Sequence, residues 1–391
     1  MRTPLAWLNL LHNRARTAVA LAGVSFSVLL IFMQLGFLGA VAKTATLIYD
    51  GLEFDILLRS PDYLHLADAR SIPVERMRQA RAVAGVEWAR PLFVNFHLWR
   101  HPETGQERGI LVMGVRPEEM VFLTPEIRNQ AEALRRPDAI LIDQQSRRQF
   151  GPKNGKRFSD QDIGVTAEIG GKRVRIAGLF NLGTGLACDG SVVVSERGYH
   201  RIFSAQSRDV VSLVLVKLKD TVDPAAAVSQ IRRRLPRDAD GRTRDVDVLT
   251  RDEVVDFELD RWIHQTSVGV IFQLGVVVAV IVGVAIVYQV LSSDVENQLP
   301  EYATLKAMGY TGGYLAGVVL WQSFLLAILG YIPGFLAAAA LYWLSSDIAN
   351  LPIEMNWLRV VGVLGLAIAM CSVSGLGALR KVGAADPADL F

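Results

Sequence analysis

Residues 265–293 read QTSVGVIFQLGVVVAVIVGVAIVYQVLSS, a run with no charged side chain, longer than the roughly 20 residues an α-helix needs to cross about 30 Å of hydrocarbon. Three more runs share this property: Thr17 to Ala42, Tyr310 to Ser346 and Val360 to Leu379. A charge at the bilayer centre costs about 2.5–3.5 kcal/mol on insertion scales, so four clean gaps in a chain that is 20% charged mark four transmembrane helices. The 51% hydrophobic content and a mean hydropathy of +0.28 agree with that count.

The first run has a rival reading as a signal peptide, with Arg14 and Arg16 as the charged region and Ala40-Val41-Ala42 as the cleavage site. Its length, well beyond the roughly 7–15 residues of a signal core, favours an uncleaved anchor. In the third run Pro333-Gly334 raises the question of two hairpinned spans, but no polar turn divides it, so one long helix bent or ended near Pro333 is simpler. His12, Arg14 and Arg16 before the first span, with Arg380 and Lys381 after the fourth, place both termini in the cytoplasm. The chain then divides into a cytoplasmic amphipathic segment 1–16, spans 17–42, 265–293, 310–346 and 360–379, a large external domain with its stalks at 43–264, a cytoplasmic segment 294–309, an external link 347–359 and a cytoplasmic tail 380–391.

Small residues recur every fourth position inside the spans, at Gly275, Ala279 and Gly283, at Gly313 and Gly317, and at Gly330 and Gly334. This spacing lets helix backbones approach, either within one subunit or across a dimer interface. Gln34, Gln273, Gln289 and Gln322 read as interhelical hydrogen-bond partners rather than substrate ligands.

Between the first two spans the pattern changes to short strands at Asp55 to Leu58, Val86 to Trp99, Ile110 to Val115, Ala139 to Ile142, Ser191 to Val194 and Val211 to Leu218. Gly170-Gly171 sits as a two-residue turn in a hairpin from Val165 to Ala177. Helices are expected at Pro73 to Val83 and at Pro224 to Leu235, the second capped by Asp223. The domain is therefore α+β, with two β-α-β halves flanking a β-rich insertion from about Pro117 to Phe203. Lys43 to Gly51 and Arg251 to His264 extend the flanking spans as helical stalks, and no Gly/Ser linker interrupts them.

Enzymatic and metal chemistry find little purchase. His97 and His101 stand four apart in a predicted strand, too far along one face for a metal pair. Cys188 and Cys371 are two unpaired small side chains. Gly155-Lys156 and Gly171-Lys172 are each followed by arginine instead of a hydroxyl residue, so no phosphate-cradling loop is present and ATP hydrolysis is not expected of this chain. The net charge of +2, without basic blocks interleaved with aromatics, leaves nucleic-acid binding unsupported.

After the second span, Pro300 fits a first helical position and Gly309 a stop, bounding a short amphipathic helix on the inner membrane face. Such a helix exposes Glu301 and Lys306, keeps Leu305 and Met308 for apolar contact, and offers a grip to a cytoplasmic motor; a solvated loop is the alternative.

The stretch Leu299-Pro300-Glu301-Tyr302-Ala303-Thr304-Leu305-Lys306-Ala307-Met308-Gly309-Tyr310, with Leu329-Gly330-Tyr331-Ile332-Pro333-Gly334, Pro4 to Leu8, Phe32 to Phe37, Asp55 to Leu58 and Asp386 to Leu390, resembles the FtsX/MacB superfamily of ABC permeases, and within it the DevC-type branch. The resemblance implies a homodimer in a bacterial inner membrane, each subunit an α-helical membrane protein with four transmembrane helices and an α+β periplasmic domain of two porter-type lobes plus an inserted lobe. It implies that Glu301, Tyr302, Ala303, Thr304, Leu305, Lys306, Met308 and Gly309 dock a separate ABC ATPase, which binds ATP and Mg while this chain binds no cofactor. A periplasmic membrane-fusion protein and a TolC-like outer-membrane channel are further implied partners, beside membrane lipid. The expected role is export, with an FtsX-like activator of a cell-wall hydrolase as the alternative.

Overall fold

The computed structural model describes residues 14–66, 68–151, 156–183, 188–236, 245–297, 304, 308, 312–349 and 353–384. From the N-terminus, α1 (Arg14–Asp50) leads into β1 (Ile56–Arg59), β2 (Ile72–Pro73), α2 (Val74–Arg81), β3 (Val86–Arg100) and β4 (Glu107–Val115). After α3 (Pro125–Asn129) come β5 (Ala139–Asp143), β6 (Thr166–Ile169), β7 (Lys172–Phe180), β8 (Ser191–Ser195), α4 (Glu196–Ile202), β9 (Val210–Val211) and β10 (Leu213–Leu218). Next are α5 (Pro224–Arg234), β11 (Asp247–Thr250), α6 (Arg251–Asp260), a π-helical segment at Arg261–Gln265, α7 (Ser267–Asn297), α8 (Gly312–Ala349) and α9 (Trp357–Ala384). The chain forms two compact units, an α/β unit of residues 42–262 and a membrane unit of residues 1–41 and 263–391.

In the α/β unit the described strands make a sheet of order β11-β1-β10-β3-β4-β8-β5-β7-β6. Its first four strands pair antiparallel, with Ile56 opposite both Val216 and Thr250, and Leu213 opposite Leu92. The order is that of a split β-α-β lobe in which each half supplies one outer and one inner strand. The two β-α-β halves thus interleave in a single sheet. Met77, Ala80 and Val83 from α2 and its C-terminal end, with Ala227, Val228, Ile231 and Leu235 from α5 and its end, cover one face against Ile56, Leu58, Val214 and Val216.

β3 is shared between two partners. Its N-terminal half pairs with β10, and from Phe93 to Arg100 it pairs with β4. β4 runs parallel to β8, β8 antiparallel to β5, β5 parallel to β7, and β6 returns to Trp99 and Arg100 of β3, so six strands close on themselves. The insertion expected from about Pro117 therefore begins earlier, at Phe93. β3 is continuous in sequence, but its second half bonds to different neighbours. Ile110 and Val112 point to one buried face and Leu111, Met113 and Val115 to the other, the period-2 alternation of a strand covered on both sides. Gly170 and Gly171, at φ 57° and 74°, make the β6–β7 turn, a left-handed pair that a side chain would strain.

At the changeover in β3, Ser212 stands in for a missing strand. Its hydroxyl accepts from the Val94 amide at 2.9 Å and donates to the Val94 carbonyl at 3.0 Å, both buried. Ser212→Ala strips both partners at once. We expect it to destabilise the α/β unit by about 1–3 kcal/mol, the cost of a buried polar group left unpaired, read as a lower thermal unfolding midpoint of the full-length chain; an unchanged midpoint would mean that water replaces the hydroxyl.

In the membrane unit, four described helices are long and apolar enough to cross a bilayer, over Thr17–Asp50, Ser267–Ser293, Ala316–Ser345 and Trp357–Ala378. α9 packs on α7 and on α8. α8 passes through Pro333 and continues to Ala349, so the proline does not end the span. The Ser25 hydroxyl of α1 lies 2.6 Å from the Leu21 carbonyl of its own helix and 2.9 Å from the Gly330 carbonyl, one turn before the proline, so its proton is shared between α1 and α8. Tyr331 donates to the Val360 carbonyl and Ser374 to the Val284 carbonyl, both at 2.9 Å, linking α8 to α9 and α9 to α7.

Candidate functional site

Sequence pointed to two groups of residues, the inner helix and the small residues of the spans. Of the first, Glu301, Tyr302, Ala303, Leu305, Lys306 and Gly309 lie outside the described residues. Thr304 is helical, the Met308 amide donates to its carbonyl at 3.0 Å, and the Met308 side chain is 64% exposed. Met308 thus presents an apolar side chain outward.

The small residues separate by position. A Cβ added at Gly330 would lie 2.7 Å from the Val24 side chain, and one at Gly334 would lie 2.7 Å from the Ser25 carbonyl oxygen. Gly275 abuts Gln34, Gly283 abuts Ser27 and Met370, and Ala279 is buried. The four glycines lie where α1 approaches α7 and α8. Gly313 is exposed and Gly317 has nothing within 4 Å. Gln34 rests against Gly275 with its Oε1 buried and unbonded, whereas Gln273 bonds to its own segment, 3.3 Å from the Ile263 carbonyl and 3.0 Å from His264 Nδ1. Gln273 is therefore not the interhelical partner expected, because the π-helical segment before α7 brings its own polar groups within reach.

His97 and His101 serve the local backbone. His97 Nδ1 accepts from Leu98, and His101 Nδ1 accepts from the amides of Glu103 and Thr104. No group of three metal-ligating side chains occurs among the described residues. Cys188 and Cys371 are both buried, and no disulfide joins them.

A third group, absent from the sequence reading, lies where the first and last segments of the α/β unit meet. Arg251, the first residue of α6, donates to the carbonyls of Leu52 at 3.0 Å and Tyr49 at 3.1 Å, and its charge lies 3.7 Å from Asp50. It thereby adds a second donor to the Tyr49 carbonyl, which already accepts from the Leu52 amide, and sits at a helix C-terminus, where the dipole favours a cation. Thr250 and Glu253 form a reciprocal capping box that starts α6 at this place. Two turns on, Glu258 is 1% exposed, although it is an acid. It accepts from the Tyr63 hydroxyl, from the Tyr49 hydroxyl at 3.3 Å and from the Trp262 indole, while the two tyrosine hydroxyls sit 2.5 Å apart.

Burial pushes the Glu258 carboxyl above the usual carboxylate range, opposed by the Tyr63 hydroxyl, the Arg59 charge, and the Tyr49 and Trp262 donors. Tyr63 is likewise raised well above an ordinary phenol, by burial first and then by Tyr49 and Glu258. Arg59, the last residue of β1, is 4% exposed. Its guanidinium lies 3.8 Å over the Phe257 ring and 4.5 Å over the Tyr63 ring, and its Nε and Nη1 have no hydrogen-bond partner. The ring faces offset part of its desolvation, but a buried donor left unpaired costs about 1–3 kcal/mol and more when charged. The sequence did carry a sign of this site: Arg251, Val254, Glu258 and Trp262 follow a helical three-to-four spacing, which places Glu258 on the buried stripe with Val254.

The comparisons with known proteins follow the same division. The family described as the MacB-like periplasmic core domain matches residues 17–234, and that described as the FtsX-like permease C-terminal matches residues 274–387. Among solved structures, the chain is similar to the extracellular domain of the noncanonic ABC-type transporter YknZ from Gram-positive bacteria, at 17% identity over 50% of this chain and 100% of that one, with a TM-score of 0.35. It is also similar to the periplasmic region of MacB from Actinobacillus actinomycetemcomitans, at 10% identity over 53% of this chain and 94% of that one, with a TM-score of 0.35. None of the curated proteins matches it. With one family covering more than half of its length and a second covering most of the last three spans, the chain belongs to the FtsX-like permeases that carry a MacB-like periplasmic core domain.

Proposed function

We propose that this protein is the permease subunit of a tripartite ABC exporter of the DevC type, working by mechanotransmission as a homodimer with both termini in the cytoplasm. A separate ATPase dimer binds ATP and Mg²⁺, closes, and displaces the inner helix at Glu301 to Met308. The displacement travels through the helical stalks to the α/β domains, which drive a lipid-like or other envelope substrate into a periplasmic membrane-fusion protein and a TolC-like channel. The observation that supports this best is the continuity of the stalk elements. α1 is a single helix from Arg14 to Asp50, and the return path from Arg251 to Asn297 is helical but for Thr266, with a π-helical segment in place of a flexible linker.

The test is the ATPase rate of the complex reconstituted in nanodiscs, compared with that of the isolated ATPase. Replacing Glu301, Leu305 and Met308 together by alanine is expected to bring the rate down to that of the ATPase alone, while the chain still inserts and folds. Stimulation as large as with the unmodified chain would remove the inner helix from the mechanism.

A further inference from the structure

The buried cluster where the first and last segments of the α/β unit meet holds an imbalance. Glu258 has three donors, none of them cationic, while Arg59 beside it has two buried N–H groups with no acceptor. The opposite charges act on each other through space, yet no direct ion pair joins them among the described residues. Elsewhere in the unit Arg76 takes Asp245 through both Nε and Nη2, at 3.1 and 2.9 Å, and Arg116 takes Glu196 through Nε at 2.7 Å. Arg59, set beside an acid, takes neither of these forms. It is stored between two aromatic faces, one of which, Phe257, precedes Glu258 in α6.

We propose that Arg59 and Glu258 form a two-position switch. In the position described, the carboxylate belongs to Tyr49, Tyr63 and Trp262, and the guanidinium to the rings of Phe257 and Tyr63. In the second, α6 turns or slides so that Phe257 uncovers the guanidinium and Arg59 replaces the hydroxyls on Glu258. Each position leaves different groups unpaired: the first leaves two guanidinium N–H groups, the second the tyrosine hydroxyls, which can still bond to each other. A pair of packings that trade polar bonds in this way is close in free energy, which is what a bistable element requires. The π-helical segment directly after α6 supplies the slack, since a π-turn is a locally widened, underwound turn that holds an extra residue without breaking the helix. The switch goes beyond the export reading, and no ATPase enters its test.

The experiment uses the full-length chain in nanodiscs with Tyr49→Phe and Tyr63→Phe, which remove the hydroxyl donors and keep the rings. Structure determination of this variant by electron cryomicroscopy is expected to show the Arg59 guanidinium within hydrogen-bond distance of the Glu258 carboxylate, about 2.7–2.9 Å. Arg59 still lying over Phe257, with Glu258 left to Trp262 alone, would overturn the proposal. Thermal unfolding provides the second measurement. Arg59→Met is expected to leave the midpoint of the unmodified chain unchanged or raise it, and to lower it clearly in the Tyr49→Phe/Tyr63→Phe background, where the guanidinium has become the main partner of the acid. Equal lowering in both backgrounds would show Arg59 to be an ordinary packing residue. Tyr63→Phe alone is the milder variant should the double one fold poorly, with the same two outcomes.

Discussion

Replacing Gly334 by leucine is expected to separate α1 from α8 and destabilise the membrane unit by about 3 kcal/mol, the upper end of the usual cost of overpacking. The reason lies in what the new side chain would meet. Its Cβ would stand 2.7 Å from the Ser25 carbonyl oxygen and 2.9 Å from the Val28 side chain, and a backbone oxygen in a helix cannot rotate aside. The Ser25 contact with the Gly330 carbonyl would be lost in the same movement. Membrane helices gain little from the hydrophobic effect against one another, so close backbone approach carries much of their association. Gly317→Leu is the matched control. Nothing lies within 4 Å of that position, and the change also removes a glycine from a helix interior, so stability should hold or rise. The measurement is the fraction of monodisperse protein surviving a temperature ramp in nanodiscs. A Gly334→Leu chain as stable as the Gly317→Leu chain would refute the assignment. A strong loss at Gly317 instead would reveal a second subunit covering that face, which the four-residue spacing alone leaves open.

Phe93→Ala should cost about 3–5 kcal/mol, the range for truncating a large buried aromatic. Phe93 is 1% exposed, its ring centroid lies 5.3 Å from Tyr199 and 5.1 Å from His200, and it is the residue at which β3 passes from one set of neighbours to the other. The cavity would open between the split β-α-β lobe and the closed six-stranded insertion, so the loss should also appear as broadening of the unfolding transition, or its division into two. Differential scanning calorimetry of the full-length chain reads both. A single sharp transition, shifted by no more than an exposed substitution would shift it, would show that the two lobes do not depend on this junction.

Much of this architecture could be read from residue order because its determinants are local. A bilayer requires long uncharged runs, and the four runs beginning at Thr17, Gln265, Tyr310 and Val360 meet that requirement without reference to any other part of the chain. The turn at Gly170-Gly171, the Asp223 cap of α5 and the alternation along β4 are likewise written within a few residues of where they act. Strand partners and buried charges are decided differently. That β3 divides at Phe93, that Ser212 fills the gap beside Val94, and that Gly334 meets Ser25 all depend on segments brought together from 100 residues or more away. Glu258 shows the boundary most plainly. Helical spacing could place it on the stripe of Arg251 and Val254, but only the packing of α1, β1 and α6 into one cluster determined that an acid there would be shut off from water, held by two tyrosines and set beside an arginine that it does not touch. Periodicity reports which side of an element is covered; what covers it follows from closing the chain in three dimensions, where the desolvation of one group depends on atoms remote from it in sequence.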